Sequence, residues 1–306
     1  MAGHTGGTKT MHDRPSTSLI ISTRDRPAFI EAVVACILAA PERPTELIVV
    51  DQSATANRRL QARAAASDGT LRYEWSDDRG LSRGRNRGIQ LARGDWLLFL
   101  DDDVIVPPDW VGRIRDAAIA AGPRTVVTGR VVSGDAETAG GFAPSLHLSE
   151  APIVHRGRPG RDVLQPLNMA MHRQAVAEVG PFDTRLGAGS HFPSSEDNDL
   201  GYRLLEAGYA IRYDPALVVV HRAWRPPGAL LPLRWRYGRG QGAYFAKHLS
   251  RQDRYMLRRL MDDWWRHVRR SPRRARAHPR DGAADLVYSA GLLAGAVEWA
   301  VTRPPD

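Results

Sequence analysis

Trp96-Leu97-Leu98-Phe99-Leu100-Asp101-Asp102-Asp103 carries a run of apolar residues straight into three carboxylates. Gly94 before it and Pro107-Pro108 after it bound the run, the pattern of a central strand buried on both faces of a parallel sheet. Ligands of open α/β sheets sit beyond the carboxyl ends of such strands, so the acidic cluster stands where a ligand would. Two carboxylates about 4 Å apart repel by about 4 kcal/mol at an effective dielectric near 20. Three together need a cation, a proton or solvent, and a divalent metal is the simplest remedy. Asp101 and Asp103 project to the same side of an extended backbone, which suits a metal and the diphosphate or ribose it accompanies. A solvated acidic turn is the plain alternative.

Working outward, Ser18-Leu19-Ile20-Ile21-Ser22-Thr23 reads as a first strand, and Glu46 to Asp51 as a second that again ends in a carboxylate. If the sheet is parallel, Asp51 and the Asp101 cluster reach the same edge. Asp25-Arg26-Pro27 supplies an N-cap and a proline for the first helical turn, and Phe29/Ile30, Val33/Val34 and Ile37/Leu38 form one buried face. A strand over Leu71 to Trp75 precedes Gly80-Leu81-Ser82, which opens an Arg-rich helix running to Arg93 and closed by Gly94. Strand and helix keep alternating from Pro108 to Arg130, so the fold class is α/β, a doubly wound mixed sheet flanked by helices. Ser133 to Pro166 has no clear period and reads as loops or a β excursion beside the site. Ser194-Ser195-Glu196-Asp197-Asn198-Asp199 opens a helix ending at Gly208, with an acidic first turn that suits the helix dipole. Ile211 to Asp214 and Leu217 to His221 form short strands, and Pro226-Pro227-Gly228 ends the core.

The 306 residues exceed one minimal domain and divide into a flexible tail over 1–17, an α/β unit over 18–225 and a helical, basic extension over 226–306. Lys and Arg number 43 against 34 Asp and Glu, a formal net charge of +9, with much of the excess in Arg266-His267-Val268-Arg269-Arg270-Ser271-Pro272-Arg273-Arg274. An anionic partner suits that run, and so does a solvated basic face. The single Cys36 excludes an intramolecular disulfide and a thiolate metal cluster. Met1 to Ser18 has no apolar core of signal-peptide length, so export by the usual route is not expected. No run of 18 apolar residues supports a spanning helix, and Leu286 to Val297 is too short to cross a bilayer. Beside the basic run, that helix could sit on an anionic surface or dock on the α/β unit.

The segments LIISTRDRP (19–27), VVDQS (49–53), GLSRGRNRGI (80–89), LDDD (100–103), LNMAMHR (167–173), FDTRLGAG (182–189), EDNDLGYRLLEAGY (196–209) and VVVHR (218–222) follow one another in a fixed order. In that order the chain resembles the family 2 inverting glycosyltransferases of the GT-A fold, over about Ser18 to His248. The resemblance implies a nucleotide-sugar donor, a sugar or lipid-linked acceptor and a divalent metal, Mn²⁺ or Mg²⁺. It implies that Asp51 contacts the nucleotide base, with Thr23 and Arg24 nearby, and that Asp101 faces ribose and metal while Asp103 ligates the metal, with Asp102 between them. Arg85 and Asn86 match the segment near the nucleotide, although Arg85 equally suits a residue packed on the sheet edge. Asn168 matches the segment lining the donor sugar and acceptor pocket, or is a simple polar strand end. His221 is either a third metal ligand or a structural histidine.

Asp197, the Asp of the family's Glu-Asp pair, is the general base the resemblance implies, expected to be ionised at neutral pH because a helix N-terminus favours its charge. Glu196 and Asp199 orient neighbours or cap the helix. Gln52 departs from the acidic residue many relatives carry after Asp51, which leaves the nucleotide open. Relatives build cell-surface polysaccharides or glycolipids, so the expected location is the cytoplasm, peripheral to the inner face of the plasma membrane. Two other classes compete. A sugar-phosphate nucleotidyltransferase needs a Gly-rich phosphate loop where this chain has Thr23-Arg24-Asp25-Arg26-Pro27. A nucleic-acid-binding protein would use the basic tail but gives no reason for Asp51, the Asp101 cluster and Asp197 together, so no nucleic-acid partner is expected.

Overall fold

The computed structural model describes residues 15–302, so most of the tail expected over 1–17 lies outside the described residues. Strands β1 (Thr17–Thr23), β2 (Glu46–Asp51), β3 (Leu71–Trp75) and β4 (Trp96–Asp101) pair in parallel in the order β3-β2-β1-β4. Helices α1 (Pro27–Ala39), α2 (Arg58–Ala65) and α3 (Leu81–Leu91) connect them. β4 is buried along its apolar length, as a central strand with both faces covered must be.

The sheet then continues as a mixed one. A two-residue strand β5 (Val104–Ile105) and helix α4 (Trp110–Ala121) lead to β6 (Thr125–Ser133), β7 (Ile153–His155), β8 (Asn168–His172) and, beyond helices α5 (Arg173–Val179) and α6 (Glu196–Glu206), to β9 (Ala210–His221). β8 inserts antiparallel between β4 and β6, and β9 runs parallel to β6, so the carboxyl ends of β1, β4 and β9 share one edge. β5 pairs antiparallel with the end of β9, Val104 opposite His221, and Arg222 N donates to Asp103 O at 2.8 Å. This pairing carries the end of the acidic cluster to the histidine.

Three local expectations are corrected. Asp25 does not cap α1; it lies at φ +54°, its carboxylate accepts from Ala54 N, and Arg26 is the capping residue, with Pro27 at the first helical position. α3 stops at Leu91 rather than Arg93, because Gly94 is needed elsewhere: a Cβ there would lie 2.7 Å from the Ser18 backbone nitrogen. The two short strands expected over 211–214 and 217–221 are one strand, since its partner β6 shifts register between Gly129 and Arg130 and lets β9 continue past the irregularity.

A short 3-10 turn (Pro227–Ala229) opens the C-terminal helices α7 (Leu230–Lys247), α8 (Tyr255–Ala277) and α9 (Pro279–Thr302). α9 exceeds the Leu286–Val297 expected, and by length and composition it is long enough to cross a membrane, contrary to the sequence expectation. The small residues Gly282, Ala283 and Ala284, which a scan for bulky apolar residues passes over, extend it. In this fold it packs on α7 at backbone distance: a Cβ on Gly242 would lie 1.9 Å from Leu292 O, and one on Gly295 2.0 Å from Arg239 O. The apolar cluster beneath these helices includes Leu186 and Phe192 from the preceding 18–225 segment, so packing is continuous across the expected boundary.

Candidate active site

The common edge of β1, β4 and β9 opens into a cleft of about 370 Å³ lined by Thr23, Arg24, Arg26, Asp101, Asp102, Asp103 and His221, among others. Thr23 Oγ1 donates to Asp102 Oδ2 at 2.6 Å, and Arg26 Nη1 bridges Asp102 at 2.9 Å and Asp103 at 2.8 Å. Asp103 Oδ1 lies 3.2 Å from His221 Nε2. Asp101, Asp103 and His221 each present a ligand atom, all within 4.8 Å of one another. Two hard carboxylate oxygens and an imidazole are a donor set that Mn²⁺ and Mg²⁺ accept. Each of the three carboxylates already meets Arg26, Arg85 or His221, and the donor set itself is what fits a divalent ion.

The electrostatics differ among the three. Burial, opposed in part by Arg26 and Thr23 and reinforced by Asp103 and Asp101, lifts Asp102 to about 6. Burial would raise Asp103 too, but His221, Arg26 and Arg225 outweigh it and hold this carboxyl below the ordinary value. His221 is raised in turn, its burial overcome by Asp103 and Asp101. Charge is therefore retained at Asp103, the residue that faces the histidine.

A second cavity of about 430 Å³ adjoins the cleft, and Leu81, Asp101, Ser145, Ala188 and Tyr237 line both. Arg85 stands between them on α3: Nη2 meets Asp101 Oδ1 at 2.9 Å and Nη1 meets Glu196 Oε1 at 3.0 Å. The α3 helix lies close enough for this because Gly88 rests on Ile20, where a Cβ would approach Cγ2 to 2.3 Å. Glu196 and Asp197 begin α6 directly after Ser195, a non-glycine residue held at φ +70°. Such a conformation costs on the order of 1 kcal/mol and marks a site where geometry is imposed. Asp197 lines the cavity and takes a hydrogen bond from Asn198 N at 2.8 Å. Burial, then the Glu196 charge, raise its carboxyl to about 8, so the expectation of an ionised base at neutral pH is corrected. Desolvation and a like charge outweigh the helix terminus here.

Asp199 is wholly buried, salt-bridged to Arg203, Lys247 and His248, which fastens α6 to the end of α7. Three expected binding residues stand apart from the cleft. Asn168 is fully buried, giving Nδ2 to Leu217 O at 2.8 Å and Arg130 O at 3.2 Å and taking Trp110 Nε1 at 3.0 Å, so it pins strands together rather than lining a sugar pocket. Asn86 spends its amide on Phe182, donating to O at 2.8 Å and accepting from N at 2.9 Å. Asp51 is buried with its oxygens on Ser53 N at 2.9 Å and the Tyr73 hydroxyl at 2.6 Å, and it faces a neighbouring groove with Asp25 and Asn57. Gln52, its neighbour, lines the cleft instead, anchored to the backbone at Asp78 and Gly80.

Sequence reasoning missed Arg26, Arg225, Arg234 and Asp162 as lining residues. The signal for Arg26 was its place just beyond a strand end. Tyr237 and Gln241 belong to a segment over 235–248 that mixes Gly, basic and aromatic residues.

A family model for glycosyl transferase family 2 matches residues 18–180. The chain is 28% identical over 243 residues to the succinoglycan biosynthesis protein ExoA of Rhizobium meliloti, covering 76% of this chain and 71% of that protein. It is 25% identical over 231 residues to the glycosyltransferase AglE of Haloferax volcanii, covering 74% and 73%. Among solved structures it is similar to the mannosyltransferase PcManGT from Pyrobaculum calidifontis in complex with GDP-Man and Mn²⁺. That superposition has a TM-score of 0.58 at 18% identity and covers 95% of this chain and 81% of the other. The structural likeness bears out the expected GT-A fold, with its helical C-terminal region.

Proposed function

The chain belongs to glycosyl transferase family 2, and from that premise we propose that it moves a sugar, with inversion and divalent-metal dependence, from a nucleotide-diphosphate donor to an acceptor hydroxyl. The observation that carries this is the convergence of Asp101, Asp103 and His221 in a cleft whose wall is shared with the cavity holding Asp197.

In this reading Thr23, Arg24, Gln52 and Arg26 grip the nucleotide, and Asp51 shapes that grip from behind through Ser53. Asp101, Asp103 and His221 would hold the metal, which when bound would supply, as a Lewis acid, several kcal/mol of charge stabilisation to a leaving diphosphate. Arg85 ties Asp101 to Glu196 and so fixes the distance between donor and acceptor sides. Asp197, once deprotonated, takes the acceptor hydroxyl proton as the oxygen attacks the anomeric carbon from the face opposite the departing diphosphate. Glu196 sets the charge beside that base and does not itself move the proton. The relative named for succinoglycan biosynthesis supports an acceptor in cell-surface polysaccharide or glycolipid synthesis.

The exposed stripe Leu257, Met261 and Trp265 on α8, with Leu286, Leu293 and Val297 on α9, supports a peripheral place on an anionic membrane at its cytoplasmic face. The test of the reading is a panel of nucleotide sugars, GDP-mannose and UDP-glucose included, assayed for release of nucleoside diphosphate with Mn²⁺, Mg²⁺ or chelator. Metal-dependent release of one of them, with an inverted anomeric product by NMR, is the expected result; a retained configuration would overturn the mechanism.

A further inference from the structure

The cavity beside Asp197 is completed by the C-terminal helices: Arg234 and Tyr237 on α7, Asp263 and His267 on α8, and Tyr288 on α9. Its charges are unevenly matched. Arg85 is taken by Asp101 and Glu196, and Asp162 by Arg259 at 2.8 Å and Gln241 at 2.7 Å. Asp263 accepts the Tyr288 hydroxyl at 2.7 Å, and the His267 ring stacks on Tyr288 with 4.1 Å between centroids.

Arg234 is different. Its Nη2 lies 3.6 Å from Asp285 Oδ1, outside hydrogen-bond reach, and has no hydrogen-bond partner although it is buried. Asp285 is already held by Arg270 through bonds of 3.0 and 2.7 Å, and Arg274 lies 3.5 Å away. Three guanidinium groups converge on one carboxylate, which leaves a surplus of positive charge at a wall of the cavity. The Arg234 guanidinium carbon lies over the Tyr288 ring, 4.2 Å from its centroid, so the group is held in place without being neutralised. Among the described residues lining this cavity, Asp197 is a carboxylate with no ion pair and Arg234 a cation with no close one.

Resting on the glycosyltransferase reading above, we propose that this cavity is the acceptor subsite and that Arg234 receives an anionic substituent of the acceptor, a carboxylate or a phosphate, while a hydroxyl of the same sugar faces Asp197. A guanidinium matches either anion through paired N–H donors, whereas a neutral sugar would leave the surplus charge unanswered.

The test uses the full chain and saturation-transfer NMR with methyl β-D-glucuronide, glucose 6-phosphate and methyl β-D-glucoside as probes. The expected result is that an anionic probe binds more tightly than the neutral glucoside. Arg234→Gln, which leaves Asp285 its Arg270 and Arg274 partners, should weaken that probe by about tenfold or more, the worth of a charged hydrogen bond. Arg234→Lys should restore part of the loss. Preference for glucuronide identifies a carboxylate and preference for the phosphate ester a phosphate. Equal binding of the neutral glucoside, or undiminished anion binding in Arg234→Gln, overturns the proposal. Titration of GDP or UDP with Mn²⁺ into the same protein judges the donor cleft separately, so the two failures are distinguishable.

Discussion

The raised Asp197 carboxyl makes a demanding prediction about pH. With its value near 8, about a tenth of the base is ionised at pH 7 and about nine-tenths at pH 9. Turnover at saturating donor should therefore climb about tenfold over that interval, along a single rising limb. The assay is release of nucleoside diphosphate, with metal held in excess and the donor kept saturating at each pH. Two perturbations probe the cause. Asp197→Asn keeps size and loses the proton acceptor, so turnover should fall by about 10² or more and the limb should vanish. Glu196→Gln keeps an acceptor for Arg85 but deletes the like charge beside the base, so the limb should move to lower pH by on the order of one unit. Stability moves the other way. Because the folded-state value lies above the unfolded carboxyl value of about 3.9, stability from this group is complete below that pH and is lost as pH rises towards 8. Asp197→Asn should melt at a higher temperature than the parent at pH 8 and show little difference at pH 4. A flat activity profile from pH 6 to 9, or a limb unmoved by Glu196→Gln, would refute the assignment of that carboxyl as the base.

Asp103→Ala should abolish metal-dependent donor binding, read by calorimetric titration of nucleoside diphosphate with and without Mn²⁺; unchanged metal dependence would remove Asp103 from the ligand set. Asn168→Ala should lower stability by about 1–3 kcal/mol for each buried partner left unsatisfied, among Trp110, Leu217 and Arg130, while nucleotide affinity stays the same. A selective loss of donor binding without a change in melting would return Asn168 to the sugar pocket. Gly242→Ala drives a methyl into Leu292 O and should cost about 1–3 kcal/mol in thermal denaturation; a neutral result would show that α7 and α9 separate freely. Co-sedimentation with anionic liposomes at low salt, lost at high salt and absent with neutral vesicles, is expected from the basic and apolar face of α8 and α9.

The acidic cluster was legible because its logic is local: a buried strand, its end and the alternation of side chains fix where Asp101 and Asp103 go. His221 was legible as a strand end, yet its distance to Asp103 depends on the β5–β9 pairing, which two residues of sequence do not announce. Asn168 and Asn86 were misread because an amide looks the same whether it meets a ligand or the protein's own backbone. Helix-dipole reasoning put Asp197 in its charged form; the burial and the neighbouring Glu196 that reverse this exist only once α6 is packed. The basic extension read as an appendage since its charges are frequent and exposed. The cavity wall it builds comes from single residues on three helices, Arg234, His267 and Tyr288, whose convergence no spacing encodes. Removal of Trp264 to Asp306 would strip α9 from α7 and uncover Tyr244 and Phe245, which share an apolar cluster with Leu292 and Trp299 of α9.

The β5–β9 pairing also sets an order on the birth of the molecule. Asp101 and Asp103 leave the ribosome early, whereas the strand that brings His221 to them follows more than a hundred residues later. At synthesis rates of about 5–20 residues per second, the nascent chain spends on the order of ten seconds with two of the three donor groups in hand. The three-residue cluster comes into being only when the last strand seats, so a metal held by all three groups would report a chain finished through β9.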